Sequence, residues 1–258
     1  MSKGVQAKRL TKSYGHKKAL IDLSFEALPG SIYGMIGPNG AGKTTALSIL
    51  AGLTRPDSGA ATILGMDVRS QHRQLVAKIG FCSPQFGLFD YLKGREILLA
   101  CGLMHGLSAQ EVESRVRDLL ELLHLEAAAD LFLYEYSQGM QQKLGLACAL
   151  IHAPSVLLLD EPFVGLDSAA VYRLVHTLRR VASNGGIVVL TSHDLALVER
   201  VCDRVGVLHE GQLKQEIEVS SPVAVASGGS SAQQRPYALE SLLWEVVGKP
   251  EMKELSWL

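Results

Sequence analysis

The sequence predicts an α/β fold with a mostly parallel sheet, and three observations carry that prediction. Residues 37–44 form a complete G-x-x-x-x-G-K-[ST] phosphate-binding loop between an apolar run and a helical pattern. Short apolar runs alternate with helical patterns along the second half of the chain. One of these runs, residues 156–159, ends in two acids, Asp160 and Glu161. Strands that alternate with helices build parallel sheets with helices packed on both faces.

The phosphate-binding loop is the strongest chemical signal. Residues 31–36 before it predict a buried strand, and residues 44–53 after it predict a helix. Glycines let the loop wind tightly, so that backbone N–H groups and the helix N-terminus face a phosphate. Lys43 adds a full positive charge, and the Thr44 hydroxyl can ligate magnesium. The loop therefore predicts a nucleoside triphosphate site rather than a structural glycine turn. Its members are Gly37, Pro38, Asn39, Gly40, Ala41, Gly42, Lys43 and Thr44.

Further elements follow from periodicity. Strands are predicted at residues 5–10, 19–25, 61–64, 79–83, 156–159, 187–191 and 204–209, and helices at residues 168–183 and 195–201. The helical period dominates between about residues 94 and 150, where Ser108 and Glu111 form a capping box. No internal repeat is visible.

The C-terminal part changes in composition. Residues 219–236 are rich in Ser, Ala, Gly and Gln and predict a flexible linker. Residues 237–258 form a tail that begins with helical spacing through Leu239, Leu242, Leu243 and Val246. This helix either docks on its own domain or contacts a partner.

Composition excludes several classes of protein. The 258 residues carry a net charge of −1, which gives no support to binding of nucleic acid or anionic lipid through bulk charge. The N-terminus lacks the apolar stretch of a signal peptide, and the apolar runs are too short to cross a bilayer. If the protein works at a membrane, another chain must supply the span. Four dispersed cysteines favour buried, reduced thiols in a cytoplasmic protein over zinc or disulfides; they are Cys82, Cys101, Cys148 and Cys202.

The two acids after residues 156–159 suit a magnesium nucleotide site. The strand places both carboxylates at the sheet edge beside the phosphate loop. Asp160 would hold magnesium through water, and Glu161 would polarise the attacking water as general base. Adjacent acids also occur at solvated strand ends. The phosphate loop upstream favours the catalytic interpretation.

The order of six elements resembles the nucleotide-binding subunit of an ABC transporter, over about residues 5–215. They are residues 37–45, Gln85, residues 136–143, the pair Asp160 and Glu161, residues 165–167 and residues 192–194. The resemblance implies a P-loop NTPase core with a mostly parallel sheet, an N-terminal antiparallel β-subdomain and an inserted α-helical subdomain at about residues 88–150. All of these belong to one nucleotide-binding domain, residues 1–218.

The resemblance also implies roles for residues around one nucleotide. Tyr14 matches the aromatic residue that stacks on adenine. Lys43 matches the contact to the β- and γ-phosphates, Thr44 the magnesium ligand, and Thr45 a contact near the α-phosphate.

Other matching residues concern magnesium, water and the second copy. Gln85 matches the glutamine that senses magnesium and the attacking water. His193 matches the histidine that contacts the γ-phosphate, and Asp167 the acid that links two active sites. Ser137 and Gly139 match the signature segment, which binds the γ-phosphate of ATP held by the opposite subunit.

Two departures from the family pattern stand out. The usual Leu-Ser-Gly-Gly-Gln signature carries Gln138 and Met140 at its third and fifth positions, and Val164 stands where a serine is common. Because Glu161 and His193 are both present, we expect ATP hydrolysis.

The implied function is that of an ATPase using ATP and Mg²⁺. A single phosphate loop and a single signature require a dimer with itself or with a related subunit, closed by ATP and opened by hydrolysis. Residues 86–92 and the signature look most like the ABC-2 type exporter group, whose ATPases serve separate integral membrane permease subunits. We expect a peripheral protein on the cytoplasmic face of the membrane, with no nucleic acid partner.

Alternatives remain open at this point. An ATP-gated assembly or regulatory ATPase that does not transport would share every motif. A repair or chromosome ATPase would need a long coiled coil that this chain lacks. Phe86 and Phe89 after Gln85 form either a groove for a permease helix or a local core of the helical insertion.

Overall fold

The computed structural model describes residues 4–83, 89–219 and 238–248. Within these ranges the chain forms two sheets and eight α-helices. The strands are β1 (Val5–Tyr14), β2 (Lys17–Ala27), β3 (Ile32–Ile36), β4 (Ser58–Ile63), β5 (Met66–Asp67), β6 (Ile79–Cys82), β7 (Val156–Leu159), β8 (Ile187–Thr191), β9 (Arg204–His209) and β10 (Gln212–Glu218). The helices are α1 (Lys43–Leu50), α2 (His72–Val76), α3 (Gly94–Met104), α4 (Ala109–Leu123), α5 (Gln138–Leu150), α6 (Ser168–Ser183), α7 (Leu195–Val201) and α8 (Ala238–Val247).

The first sheet is antiparallel throughout and has the order β2-β1-β4-β5. Its strands β1 and β2 form a long hairpin whose register shifts several times, so the hairpin bends. The predicted N-terminal antiparallel sheet is therefore present.

The second sheet has the order β10-β9-β3-β8-β7-β6. From β9 to β6 every neighbouring pair is parallel, and β10 is added antiparallel at one edge. The carboxyl ends of β3, β8 and β7 consequently lie side by side at one edge. Ligands of open α/β sheets bind at such an edge.

The central strands are apolar along their whole length because both faces of the sheet are covered. Every residue of β3, β7 and β8 is buried. Leu157 and Leu159 join the core formed with α3 to α7, whereas Val156 and Leu158 join the core beneath α1 and the antiparallel sheet. Alternate side chains thus fix the sheet between two layers.

The helical region contains α3, α4 and α5. Helix α4 begins at the predicted capping box, in which the Glu111 N–H donates to Ser108 Oγ at 3.3 Å and the Ser108 N–H donates to the Glu111 carboxylate at 3.0 Å. Its buried residues recur at the predicted three- and four-residue spacing; they are Val112, Val116, Leu120 and Leu123.

Most predicted elements are observed, and the differences have simple causes. Strands β7, β8 and β9 and helices α6 and α7 have the predicted bounds. Strand β5 and helix α2 are too short for periodicity to reveal, and β10 is a largely polar edge strand. The prediction of four buried thiols is wrong for Cys101 and Cys148, which are only partly buried, while all four cysteines are free.

Helix α8 lies within the predicted tail, residues 237–258. Residues 220–236 of the predicted linker lie outside the described residues. Across the three described ranges, no helix combines the length and apolar character needed to span a bilayer.

Candidate active site

The phosphate loop connects β3 to α1 through backbone conformations that require glycine. Gly37, Gly40 and Gly42 have φ values of 150°, 80° and 106°. A Cβ on Gly37 would lie 2.1 Å from the Leu208 carbonyl oxygen, and one on Gly42 would lie 2.4 Å from the Ala19 carbonyl oxygen. The loop is therefore pressed against β9 and β2, which hold its shape.

Lys43 lies at the centre of the loop and is 8% exposed. Its Nζ donates hydrogen bonds to the Gly37 carbonyl at 2.7 Å and to the Pro38 carbonyl at 3.2 Å. Burial lowers the pKa of the Lys43 ammonium, and the nearby carboxylates of Glu161 and Asp160 act in the opposite direction. The ammonium is poised where a phosphate would meet the loop.

Thr191 connects the two acids that follow β7. Its hydroxyl donates to Asp160 Oδ1 at 2.6 Å and accepts the Glu161 N–H at 2.9 Å. Thr191 is fully buried and Asp160 is 4% exposed. Sequence reasoning missed this residue. Only the pairing of β8 with β7 brings Thr191 beside the two acids.

Glu161 pairs with His193. The Glu161 carboxylate lies 2.9 Å from His193 Nδ1 and accepts the His193 backbone N–H at 3.3 Å. Glu161 itself has a φ of 49°, in the left-handed region. This turn after β7 directs the Glu161 carboxylate toward His193, in the loop after β8. Backbone strain of this kind is typical of functional sites.

A cavity of about 290 Å³ lies at this sheet edge. Tyr14 at its rim is 52% exposed, with Lys12 Nζ 5.4 Å from its ring centroid. An exposed aromatic ring beside phosphate-binding groups suits a nucleotide base. The cavity is lined by Tyr14, Lys17, Ala19, Asn39, Gly40, Ala41, Gly42, Lys43, Thr44, Thr45, Asp160 and Glu161.

The residues at this edge fit a magnesium ion bound together with phosphates. Magnesium keeps several waters and takes one or two carboxylates plus substrate phosphates, so a cage of protein acids is unnecessary. Thr44 is exposed beside the loop, and Asp160 lines the same cavity. Hydroxyl and carboxylate oxygens are suitable ligands.

The signature segment lies away from this cavity. Ser137 is exposed and caps α5, where its Oγ accepts the Met140 N–H at 3.3 Å. Gly139 packs against Gly165, and a Cβ on Gly139 would lie 2.2 Å from the Gly165 carbonyl oxygen. Neither Ser137 nor Gly139 lines the cavity.

Asp167 joins the signature helix to α6. Its carboxylate accepts the Ala170 N–H at 2.8 Å, which caps α6, and contacts Lys143 Nζ of α5 at 3.1 Å. These two hydrogen bonds, the Ala170 N–H first, lower the pKa of Asp167 to about 2. The acid is therefore ionised at neutral pH and fixes the loop between the two helices.

The structure thus brings most of the predicted site residues together. Those that line one cavity are Tyr14, Asn39, Gly40, Ala41, Gly42, Lys43, Thr44, Thr45, Asp160 and Glu161. His193 joins them through Glu161, and Gly37 and Pro38 through Lys43. Ser137, Gly139 and Asp167 form a separate group. Gln85 lies outside the described residues.

Comparison with known proteins identifies the family. The family model described as ABC transporter matches residues 20–164. The chain belongs to the ABC transporter family.

Several curated members of the ABC transporter family are similar along most of this chain. Nod factor export ATP-binding protein I of Burkholderia lata is 41% identical over 209 residues, which are 81% of this chain and 68% of that protein. The protein of the same name from Sinorhizobium fredii is 39% identical over 81% of this chain and 61% of its own length. The linearmycin resistance ATP-binding protein of Bacillus subtilis is 34% identical over 81% of this chain and 67% of that protein.

Solved structures of ATP-binding cassettes are also similar to this chain. An ATP-binding subunit of an ABC transporter superposes with a TM-score of 0.82 at 29% identity, covering 95% of this chain and 99% of the other. A dimeric post-hydrolysis state of an ATP-binding cassette, bound to ADP and Pi, superposes with a TM-score of 0.77 at 27% identity, covering 84% and 99%. The predicted fold and the prediction of an ABC ATPase are both confirmed.

Proposed function

We propose that this ABC ATPase binds ATP with Mg²⁺ and hydrolyses it to drive export through separate integral membrane permease subunits. The observation that carries the proposal is the convergence of Lys43, Asp160 and the Glu161–His193 pair on the edge of one sheet. The similar proteins named for Nod factor export and linearmycin resistance support the transport part.

Each group at the sheet edge has a distinct proposed role. Lys43 and the loop N–H groups bind the phosphates, as a loop before a helix N-terminus does. Thr44 and, through water, Asp160 would hold magnesium, which neutralises phosphate charge when bound. Glu161 accepts a proton from the attacking water, while His193 contacts the γ-phosphate. Gln85 is proposed as the sensor of magnesium and water.

Dimerisation would complete the site. The exposed Ser137 at the N-terminus of α5 is an anion-binding group with no phosphate of its own, because it does not line this chain's cavity. A second copy, or a related subunit, would supply its Ser137 and Gly139 to the phosphate held here. Asp167, hydrogen-bonded to α5 and α6, would link the two sites. The dimeric cassette among the similar structures supports dimerisation.

An exposed aromatic surface supports a membrane partner. Tyr91 is 84% exposed and Tyr134 58% exposed, and their ring centroids lie 6.2 Å apart. Phe132 stacks on Tyr134 at 5.6 Å, and Phe89 is 44% exposed nearby in sequence. Exposed apolar patches of this kind mark interaction sites. We assign this surface to a cytoplasmic helix of the permease, which is the groove alternative for Phe86 and Phe89; Phe86 lies outside the described residues.

The proposed organisation follows from these roles. Residues 1–218 would form the nucleotide-binding domain, with the helical subdomain at about residues 88–150. Residues 219–236 would be a linker and residues 237–258 a helical tail. The protein would lie on the cytoplasmic face of the membrane, held there by the permease.

The test is co-purification of the tagged chain from detergent-solubilised membranes. We expect an integral membrane protein to accompany the wild-type chain and to be lost with Tyr91→Ser combined with Tyr134→Ser. ATP binding should be unchanged, because neither tyrosine lines the cavity. Tyr172→Ser, which removes a ring that is 55% exposed on α6, is the matched control and should keep the partner. Absence of any membrane protein would favour the assembly or regulatory alternative.

A further inference from the structure

Helix α8 is anchored on the body of the protein. The Leu239 N–H near its start donates to Glu199 Oε1 of α7 at 2.9 Å. Leu239 is 1% exposed, and Leu243 and Val246 pack against the core that contains α7 and β9. The predicted tail helix therefore docks on its own domain along one apolar face.

A second cavity, of about 240 Å³, separates α8 from the phosphate loop. On the α8 side, its wall consists of Leu243, Trp244 and Val247. On the opposite side it is lined by the start of the phosphate loop, including Pro38 and Asn39, and by His193. Trp244 is held on α8 by a hydrogen bond from its Nε1 to Glu240 at 3.3 Å.

The phosphate loop is the partition between this cavity and the nucleotide site. Asn39 lines both cavities. Pro38 belongs to the same partition, and its carbonyl accepts a hydrogen bond from Lys43. A displacement of α8 would therefore change the cavity that the outer side of the loop lines.

The same wall faces His193. The His193 side chain is 66% exposed, and its ring contacts Glu161 through Nδ1. The apolar α8 surface lies across the cavity from the ring. A ring held by one short contact depends on its surroundings for orientation, and small misplacements of reacting groups are costly.

We propose that α8 positions the outer side of the phosphate loop and the His193 ring, with Trp244 as the positioning residue. The inference rests on the proposed roles of Glu161 and His193 in ATP hydrolysis. It makes the C-terminal helix part of the catalytic apparatus. Binding of a γ-phosphate, which would engage Asn39 and His193 from inside the loop, should then alter the surroundings of Trp244.

The test uses the full-length chain with Trp257→Phe, which leaves Trp244 as its only tryptophan because the sequence contains two. Titration with ATP should change the emission of Trp244 saturably. Trp244→Ala should lower kcat about tenfold, with a smaller effect on KM. Trp244→Phe should restore most of the activity, because a flat apolar ring remains. Glu245 is the next residue along the chain and lies on the exposed side of α8, so Glu245→Ala should keep wild-type kinetics.

An emission spectrum that ATP leaves unchanged, together with a Trp244→Ala kcat equal to that of Glu245→Ala, would overturn the proposal. A merely structural role would lower the melting temperature of Trp244→Ala without an ATP-dependent change in emission, and would also overturn it. If Trp244→Ala does not fold, the fluorescence titration decides alone. Failure of the proposed catalytic roles is recognised separately, because Glu161→Gln would then keep wild-type turnover.

Discussion

The Glu161 carboxylate holds the residue His193 by two atoms, the ring Nδ1 at 2.9 Å and the backbone N–H at 3.3 Å. Because a carboxylate accepts hydrogen bonds, Nδ1 donates, which leaves Nε2 as the ring nitrogen for a ligand. The two residues follow neighbouring parallel strands, β7 and β8. These two contacts hold the proposed general base, Glu161, against His193, which is proposed to contact the γ-phosphate.

Replacement of Glu161 by Gln should separate ATP binding from hydrolysis. The amide keeps the shape of the side chain but cannot accept the proton of the attacking water, so turnover should fall about 100-fold or more. ATP binding should persist, because Lys43 and the loop are intact. Phosphate release measures turnover, and size-exclusion chromatography with ATP should show a trapped dimer.

Glu218→Gln is the control for this variant. Glu218 lies at the exposed end of β10, and it does not line the nucleotide cavity. It should hydrolyse ATP like the wild-type chain and form no trapped dimer. Wild-type turnover in Glu161→Gln would contradict the role assigned to Glu161.

Thr191→Val should damage the site without changing its shape. The substitution removes the hydroxyl that donates to Asp160 and accepts the Glu161 N–H, and it leaves the buried Asp160 carboxylate and the partly buried Glu161 N–H without that partner. We expect a loss of about 1–3 kcal/mol in the free energy of unfolding and a lower kcat. Chemical denaturation and phosphate release measure the two effects.

Thr177→Val provides the comparison for Thr191→Val. The Thr177 hydroxyl donates to the Arg173 carbonyl of its own helix, α6. Its loss should leave kcat unchanged. Equal effects of the two substitutions on kcat would show that the Thr191 bridge does not position the acids.

Gly139→Ala should disturb the signature segment. A Cβ at this position would meet the Gly165 carbonyl oxygen at 2.2 Å, so either α5 or the loop before Asp167 must move. Overpacking of this kind costs about 1–3 kcal/mol and shifts backbone. We expect ATP binding by the single chain to survive while phosphate release falls.

Ser114→Ala, at an exposed position of α4 outside the signature segment, should hydrolyse ATP normally and serves as the comparison. Filter binding of ATP and phosphate release distinguish the two variants. Full hydrolysis by Gly139→Ala would argue against a role for this segment in the closed dimer.

The sequence predicted the phosphate loop and the acids because their chemistry restricts residue type and spacing. Only glycine fits beside the carbonyls of Ala19 and Leu208, and the Asp160–Glu161 pair ends an unmistakably apolar strand. Such local requirements can be recognised from the sequence alone. The strands buried on both faces were visible for the same reason.

Other features depend on three-dimensional neighbours and left no comparable signal. The Thr191 bridge exists because β8 lies beside β7. In the sequence, a threonine at the end of a strand does not by itself indicate a contact with the two acids. The cavity between Trp244 and the phosphate loop is lined by residues some two hundred positions apart. Polar strand β10 carries little apolar pattern because it forms an edge.

A pair of stacked histidines connects α3 to the end of α5. The rings of His105 and His152 have centroids 3.7 Å apart and lie 4° from parallel. His152 Nε2 lies 3.0 Å from the Ile79 carbonyl oxygen. Burial, and next the charge of His105, lower the pKa of His152 to about 4; Arg115 acts in the same direction, and the contact with Ile79 opposes it. Burial also lowers the pKa of His105.

This pair should make the protein less stable in mild acid. The pKa of His152 is lower in the folded chain than the value of about 6.5 expected when unfolded, so the unfolded chain binds more protons between these values. The stability that the neutral His152 ring contributes is fully present above the unfolded pKa, and it is lost as the pH falls toward about 4. The melting temperature of His152→Gln, whose amide can still donate to Ile79, should therefore fall less than that of the wild-type chain between about pH 7 and about pH 5. His176→Gln, at an exposed position of α6, should follow the wild-type pH dependence, and an identical dependence in His152→Gln would assign the acid sensitivity to other groups.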